Sequence, residues 1–176
     1  MLKILDLVSD GASCAVRFIG SVAAWSGLAL VLLVAFNVLA RYLFSYSTVG
    51  LQEAEWHLMA VAALFGMSYG LNQGGEVRVD IFYARYSPRA KAIIDVIGNA
   101  ALCIVAVYVV SLSINYVTSS YAIMEGSPDP GGLPMRFLLK AAIPAAFVLL
   151  ALQAFAMTLR AIGELTDTGS RHSGSA

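Results

Sequence analysis

The sequence predicts an all-α integral membrane protein with four transmembrane helices. Hydrophobic residues make up 59% of the 176 residues and charged residues 12%, whereas a soluble domain carries about 25% charged residues. Four long runs contain no Asp, Glu, Lys or Arg: 18–40, 56–75, 96–124 and 141–159. Each is close to or above the roughly 20 residues that cross a bilayer as a helix, in which every backbone hydrogen bond is satisfied.

The N-terminal segment, residues 1–17, is predicted to be an amphipathic helix that lies flat on the membrane. Its apolar residues recur at helical spacing, and charged residues occupy the other positions. The apolar set is Ile4, Leu5, Val8, Ala12, Ala15 and Phe18. The alternative interpretation is a frayed cytoplasmic extension. In both cases the transmembrane domain covers residues 18–160, and its first span covers 18–41.

The second span is predicted over residues 54–75, and one of its faces is lined by glycines four residues apart. These are Gly66, Gly70 and Gly74. Such small-residue faces allow another helix to approach closely, so we expect this face to pack on a helix. Beyond the span, Arg78 and Asp80 alternate with valines, which indicates an interfacial segment with its charges in water.

Ser87 and Pro88 predict the start of the third helix, because Ser favours the N-cap and Pro the first helical position. A helix from there to Met124 is about 55 Å long. We therefore expect the third span, 92–124, to project beyond the bilayer. A turn-rich loop, 126–134, follows it.

The fourth span is predicted over residues 139–160 and contains Pro144 near its start. Neighbouring helices in a membrane can satisfy the carbonyl that a proline frees, so the helix tolerates this residue. The remaining residues, 161–176, are rich in Ser and Gly near their end and are predicted to form a disordered cytoplasmic tail.

The distribution of Lys and Arg predicts that both termini lie in the cytoplasm. With four spans, one side of the membrane carries eight of these residues: Lys3, Arg17, Arg78, Arg85, Arg89, Lys91, Arg160 and Arg171. The other side carries three: Arg41, Arg136 and Lys140. Because positively charged loops remain in the cytoplasm, the predicted topology is N-in and C-in.

The connection between the first two spans has charged residues at both edges. Arg41 can extend to the membrane surface. Glu53 and Glu55 are predicted to lie in the first turn of the second helix, where the helix dipole favours negative charge, and Trp56 suits the membrane interface. Two interpretations stay open. Each residue anchors the chain separately, or Arg41 pairs with a glutamate and shapes a surface for a partner subunit.

The residue types argue against several classes of function. One of only two histidines, His172, lies in the tail, so a haem held by two histidines within the bilayer is excluded. No spacing of Cys and His matches a metal site, and no cofactor is predicted. A net charge of zero argues against nucleic acid binding. The span interiors carry no Asp, Glu, Lys or Arg, which argues against a transport pathway within this chain alone.

Over residues 21–160 the chain resembles the small membrane subunit, the DctQ-like or Q subunit, of tripartite ATP-independent periplasmic (TRAP) transporters. The resemblance rests on four features in order: 37–44 (NVLARYLF), 53–56 (EAEW), the glycine-bearing second span leading to 77–80 (VRVD), and Ile143-Pro144. One position departs from the pattern, since Glu76 stands where the family often has His.

The resemblance implies a non-transporting scaffold in the bacterial inner membrane. Its implied partners are a large membrane subunit, which takes up an organic acid or similar solute by symport with a cation, and a periplasmic solute-binding protein. No catalytic, substrate-binding or metal-binding residue is implied. The candidate structural or partner-interface residues are Arg41, Glu53, Glu55, Trp56, Gly66, Gly70, Gly74, Arg78, Asp80 and Pro144.

Two other functions stay open at this point. One is a haem-free membrane-anchor subunit of a respiratory complex, which a haem spectrum and co-purification would test. The other is an autonomous small exporter. Such exporters need a carboxylate within the membrane to exchange protons, and the spans of this chain contain none.

Overall fold

The computed structural model contains four α-helices: α1 (Leu2–Phe44), α2 (Val49–Asn72), α3 (Pro88–Ala122) and α4 (Phe137–Ser173). The structure describes residues 2–75, 83 and 85–173, and the side chains of 9–75, 83 and 85–166. No strand occurs in this part of the chain. The predicted all-helical class is therefore confirmed.

Helix α4 is the centre of the arrangement. It packs on α1, α2 and α3, and α1 also packs on α2. Most buried apolar side chains belong to α4: Ala146, Leu149, Leu150, Ala154, Ala156 and Ala161. Because alanines dominate this set, the neighbouring helices can approach α4 closely.

Helix α3 packs on α4 through small residues that recur every seven positions. Its buried residues are Ala92, Asn99, Ala106, Ser113 and Ser120. A seven-residue repeat corresponds to 3.5 residues per turn, slightly fewer than the 3.6 of a straight helix, so it favours left-handed supercoiling. The pair α3–α4 is thus built like an antiparallel coiled coil with a thin seam.

Two ends of the molecule are named by their charged residues. The Glu53 end holds the α1–α2 connection (residues 45–48) and the α3–α4 loop (residues 123–136). The Arg160 end holds the beginnings of α1 and α3 and the final parts of α2 and α4. There Arg160 donates to Oδ1 of Asp10 on α1 (2.9 Å), and Nδ2 of Asn72 on α2 lies 3.0 Å from Oε1 of Gln153 on α4.

Three of the four helices are long and apolar enough to cross a membrane, judged by length and composition over the described residues. These segments are Ser9–Phe44, Pro88–Ala122 and Phe137–Thr166. Helix α2 is not among them, because Glu53, Glu55 and His57 in its first half lower its mean hydropathy. The predicted count of four spans and their topology thus stay predictions.

The N-terminal segment is not separate from the first span. One continuous helix runs from Leu2 to Phe44, without a break after residue 17. Ser9 and Val16 are fully buried, and Oγ of Ser9 donates to the carbonyl of Ala156 (3.2 Å). Ser9 therefore contacts α4, and the position of residues 1–17 at the membrane interface stays a prediction. The side chains of Ile4, Leu5 and Val8 lie outside the described residues.

The observed start of α3 agrees with the prediction from the sequence, whereas the observed end of α4 differs from it. Ser87 caps α3, since its Oγ accepts a hydrogen bond from the backbone N–H of Ala90 (3.3 Å), and Pro88 is the first helical residue. Helix α4 continues to Ser173, whereas a disordered tail was predicted from residue 161. Ala161 is buried, so packing against the neighbouring helices supports the helix beyond the predicted end.

Candidate functional site

Glu53 is the most buried charged residue of those whose side chains the structure describes, at 6% exposure. It lies in the second turn of α2, because Thr48 caps this helix and Val49 is its first residue. Oγ1 of Thr48 accepts a hydrogen bond from the N–H of Leu51 (3.3 Å). The helix thus starts earlier than predicted, and the glutamates lie beyond the first turn, where the dipole effect has faded.

The carboxylate of Glu53 binds the α3–α4 loop. Oε1 accepts a hydrogen bond from Oγ of Ser127, and Oε2 accepts one from the backbone N–H of Leu133 (2.6 Å). The loop closes on itself at the same place, since the N–H of Ser127 donates to the carbonyl of Leu133 (3.1 Å). One side chain of α2 therefore holds both sides of this loop.

Glycines make room for this contact. A Cβ on Gly132 would lie 2.7 Å from Oε2 of Glu53, and one on Gly50 would lie 3.2 Å from the carbonyl oxygen of Gly131. Gly131 itself has φ +81°, in the left-handed region that glycine adopts without strain. The loop can therefore approach α2 only with small residues at these positions.

The hydrogen bonds to Glu53 favour its charged form. The bond from Ser127 holds the pKa of the Glu53 carboxyl below its usual range, and the N–H of Leu133 lowers this pKa further. The charges of Arg136 and His57 act in the same direction, whereas burial opposes them. Glu53 is thus an anion at neutral pH, bound by donors of the loop.

A second carboxylate fixes the loop where it leaves α3. Oε2 of Glu125 accepts hydrogen bonds from Nζ of Lys140 (2.5 Å) and Oγ of Ser120 (2.6 Å). These two bonds, that from Lys140 first, hold the pKa of Glu125 below its usual range. Nζ of Lys140 also lies 4.2 Å from the ring centre of Tyr116. The ion pair therefore joins the end of α3 to the first turn of α4.

Arg41 forms no ion pair with Glu53 or Glu55, so this hypothesis is wrong. Its guanidinium is exposed and donates to Oγ of Ser47 (3.4 Å). Glu55 instead accepts a hydrogen bond from Nδ2 of Asn37 (2.9 Å), which joins α2 to α1. Both glutamates thus accept hydrogen bonds from uncharged donors.

Within the described residues, no other segment packs on Gly66 and Gly70 of α2. A Cβ on Gly66 or Gly70 would meet no atom within 4 Å, and Trp56 is also exposed, at 64%. The close approach of α1 and α2 instead uses Gly20 of α1, since a Cβ there would lie 2.6 Å from the Cβ of Tyr69.

Gly74 ends α2 and does not belong to that face. It has φ +77°, its N–H donates to the carbonyl of Leu71 (3.2 Å), and the N–H of Gly75 donates to the carbonyl of Gly70 (2.8 Å). This pattern is a Schellman motif, in which a glycine with positive φ closes the last turn of a helix. The sequence assigned Gly74 to a packing face, whereas in the structure it ends the helix.

The remaining predicted residues fall in two groups. Pro144 lies inside the continuous helix α4, in a shallow apolar cleft that it lines with Ile19 and Phe65. Arg78 and Asp80 lie outside the described residues.

At the Arg160 end, amides and a serine join three helices. Nδ2 of Asn72 donates to Oε1 of Gln153, which is 2% exposed, and lies 3.3 Å from the carbonyl of Ser13. Arg160 reaches Asp10 and Oγ of Ser13 (3.2 Å). Polar side chains at both ends therefore serve contacts between helices and loops, as expected for membrane helices.

Most groups that form these contacts were not identified from the sequence, because they lie far along the chain from the residues that they bind. Ser127, Leu133, Glu125 and Lys140 form the loop contacts, yet their residue types are ordinary. Only the turn-rich composition of 126–134 indicated that this loop has a defined conformation.

Comparison with known proteins agrees with this architecture. The sequence model of one family, the DctQ component of tripartite ATP-independent periplasmic transporters, matches residues 30–164. The match runs from the second half of α1 through most of α4 and includes all the contacts at the Glu53 end. Comparison with curated proteins gives no significant match. The chain therefore belongs to the DctQ family and is a small permease subunit of a TRAP transporter.

Proposed function

We propose that the chain is a non-transporting scaffold that supports the large membrane subunit of its transporter. In this role it helps a cation-gradient-driven uptake of an organic acid or similar solute, which a periplasmic binding protein delivers. One observation carries the proposal. The buried polar side chains form hydrogen bonds between segments of this chain.

The inventory of buried polar side chains supports a scaffold. Gln153 binds Asn72, Ser9 binds Ala156, and Glu53 binds the α3–α4 loop. Among the residues whose side chains are described, one buried polar side-chain atom lacks a partner, Oδ1 of Asn37. A solute pathway needs several such groups facing a shared space, and a single amide oxygen does not provide it.

We further propose that α2 forms the fourth transmembrane span from residue 54 onwards, with Glu53 at its edge, and that both termini lie in the cytoplasm. With 24 residues, α2 is about 36 Å long, enough to cross roughly 30 Å of hydrocarbon. It lies beside two helices that are themselves candidate spans, and it runs from the Glu53 end to the Arg160 end. In this arrangement Arg17, Arg85, Arg89, Lys91 and Arg160 lie towards the Arg160 end. Under the positive-inside rule, this supports a cytoplasmic location for that end.

The open face of α2 is the surface we propose for the large subunit. Trp56, Gly66 and Gly70 share this face. Among the described residues, Trp56 is exposed, and a Cβ on either glycine would meet no atom within 4 Å. A face of small residues allows a partner helix to come close in lipid, where packing drives association. We infer the same role for Arg41, whose exposed guanidinium is available at the Glu53 end.

Reconstitution tests the scaffold role. We expect no solute uptake by vesicles that contain the chain alone, under a sodium or a proton gradient. Vesicles that contain the chain, the large subunit and the binding protein should take up solute, and omission of the chain should abolish most of the uptake. Uptake by the chain alone would contradict the proposal.

A further inference from the structure

A groove opens between α2 and α3 near the Glu53 end, with α4 as its floor. Its volume is about 430 Å³. The apolar part is lined by α2 and α4 through Ala60, Leu64, Leu139 and Ile143. The groove exists because α2 and α3 each pack on α4 far more than on each other, so a gap between them faces the surroundings of the bundle.

The upper part of the groove is polar and contains a guanidinium, that of Arg136, whose N–H donors are unused among the described residues. Arg136, Glu125, Lys140 and Tyr116 line it. Lys140 is bound to Glu125, whereas the guanidinium of Arg136, which is only partly exposed, makes no hydrogen bond or ion pair with any residue that the structure describes. The charge of Arg136 acts on the carboxylates of Glu53 and Glu125, but its N–H donors have no acceptor in the described part of the chain. Beside an apolar groove, such donors suit an anionic ligand.

A carboxylate oxygen is free at the same place. Lys140 and Ser120 both bind Oε2 of Glu125, and within the described part of the chain Oε1 has no hydrogen-bond donor. Glu53, Glu125, Arg136 and Lys140 together carry no net charge. The groove therefore offers a donor for an anion and an acceptor for a cation side by side, and it does not attract a purely anionic ligand.

We propose that this groove binds a zwitterionic phospholipid with an amine headgroup. The phosphate accepts hydrogen bonds from Arg136, and the ammonium group donates to Oε1 of Glu125. The upper part of one acyl chain lies along Ala60, Leu64 and Ile143, and the rest of the lipid stays in the bilayer. The polar part lies at the Glu53 end of the apolar spans, where headgroups of one leaflet are located.

Native mass spectrometry of the detergent-purified full-length chain tests this binding. Phosphatidylethanolamine is compared with phosphatidylglycerol, which lacks the amine, and with glycerophosphoethanolamine, which lacks the acyl chains. We expect retention of one phosphatidylethanolamine. Arg136→Gln should weaken this retention about tenfold, since a charge-assisted hydrogen bond is lost. Arg41→Gln is the matched control, because Arg41 lies at the same end and outside the groove.

A second variant acts on the apolar part of the groove. Leu64→Trp fills it from α2 and should also displace the lipid, so the proposal stays testable if Arg136→Gln does not fold. Equal retention of the two lipids, retention by Arg136→Gln equal to that by Arg41→Gln, or equally strong binding of glycerophosphoethanolamine would overturn the proposal. So would the absence of the lipid from the complex with the large subunit, because a helix of that subunit would then fill the groove.

Discussion

Glu53 presents its carboxylate to two donors that lie 74 and 80 residues further along the chain. Both donors belong to one loop, so this side chain decides where the loop lies relative to α2. A neutral residue of the same shape retains one acceptor oxygen and turns an amide N–H₂ group towards the loop. The contact therefore depends on the negative charge as well as on the shape of the side chain.

We expect Glu53→Gln to lower the Tm of the detergent-purified chain by roughly 5 °C, because one loop donor loses its acceptor. Asp129→Asn is the control, since Asp129 is an exposed acid of the same loop and should leave the Tm unchanged. Thermal unfolding followed by circular dichroism measures both. Equal Tm values for the two variants would show that the loop is held without Glu53.

The same contact should depend on pH. The folded state lowers the pKa of Glu53, so its contribution to stability is complete above the ordinary glutamate pKa of about 4.3 and is lost as the pH falls through the lowered folded value. The difference in Tm between the wild type and Glu53→Gln should therefore shrink below about pH 4. A difference that grows on acidification would contradict the assignment.

The sequence identified Glu53 and could not identify its partners. A carboxylate at the edge of an apolar helix is conspicuous, so the sequence indicated Glu53 as a candidate structural or partner-interface residue. Its role depends on Thr48, which starts the helix a turn early, and on a loop that reaches α2 from distant positions. Local sequence patterns do not indicate which distant segment will contact a residue.

At the scale of the helix, Gly20 and Gly70 form a natural comparison. Gly20→Ala would place a Cβ 2.6 Å from the Cβ of Tyr69, which is attached to a helix backbone and cannot move aside. We expect this change to destabilise the chain by about 1–3 kcal/mol.

Gly70→Ala is the matched control, because its Cβ meets open space and alanine favours the helix. Its stability should equal or slightly exceed that of the wild type. Urea or thermal unfolding of the two variants in detergent compares them. A similar loss for both changes would mean that the α1–α2 contact does not rest on Gly20.

The comparison of Gly20 with Gly70 shows what the spacing of glycines cannot predict. Three glycines at a spacing of four residues indicated a smooth face, and a Cβ on Gly66 or Gly70 would meet no atom within 4 Å. The pattern does not say whether the neighbour belongs to the same chain. Gly20 stands without such a repeat, so the packing glycine could be recognised only once α1 and α2 were placed side by side.

For the whole molecule, the prediction to test is the topology. In a chain with Cys14→Ser and Cys103→Ala, a membrane-impermeant maleimide added to intact spheroplasts should label Asp129→Cys and leave Tyr86→Cys unlabelled. After the cells are opened, both should react, since the two positions are exposed. Labelling of only Tyr86→Cys in intact spheroplasts would reverse the proposed orientation.

Composition alone predicted the helical class, because long apolar runs in lipid leave the backbone few other solutions. The dipeptide Ser87-Pro88 predicted where α3 begins. The sequence did not predict the lengths of α1 and α4. Both helices continue through charged segments that pair with each other, as Asp10 and Arg160 do. Such extensions depend on contacts between helices and have no local signal.

The seven-residue repeat of small side chains on α3 also limits how this chain can change during evolution. Each residue of a helix advances by about 100°, so insertion of a single residue after Ala106 would turn Ser113 and Ser120 away from α4 and bring large side chains into the seam. Insertions of seven residues would preserve the seam and displace the α3–α4 loop by about 10 Å, away from Glu53. Length differences among related chains are therefore expected in the connections and at the termini, and the interior of α3 should keep a constant length.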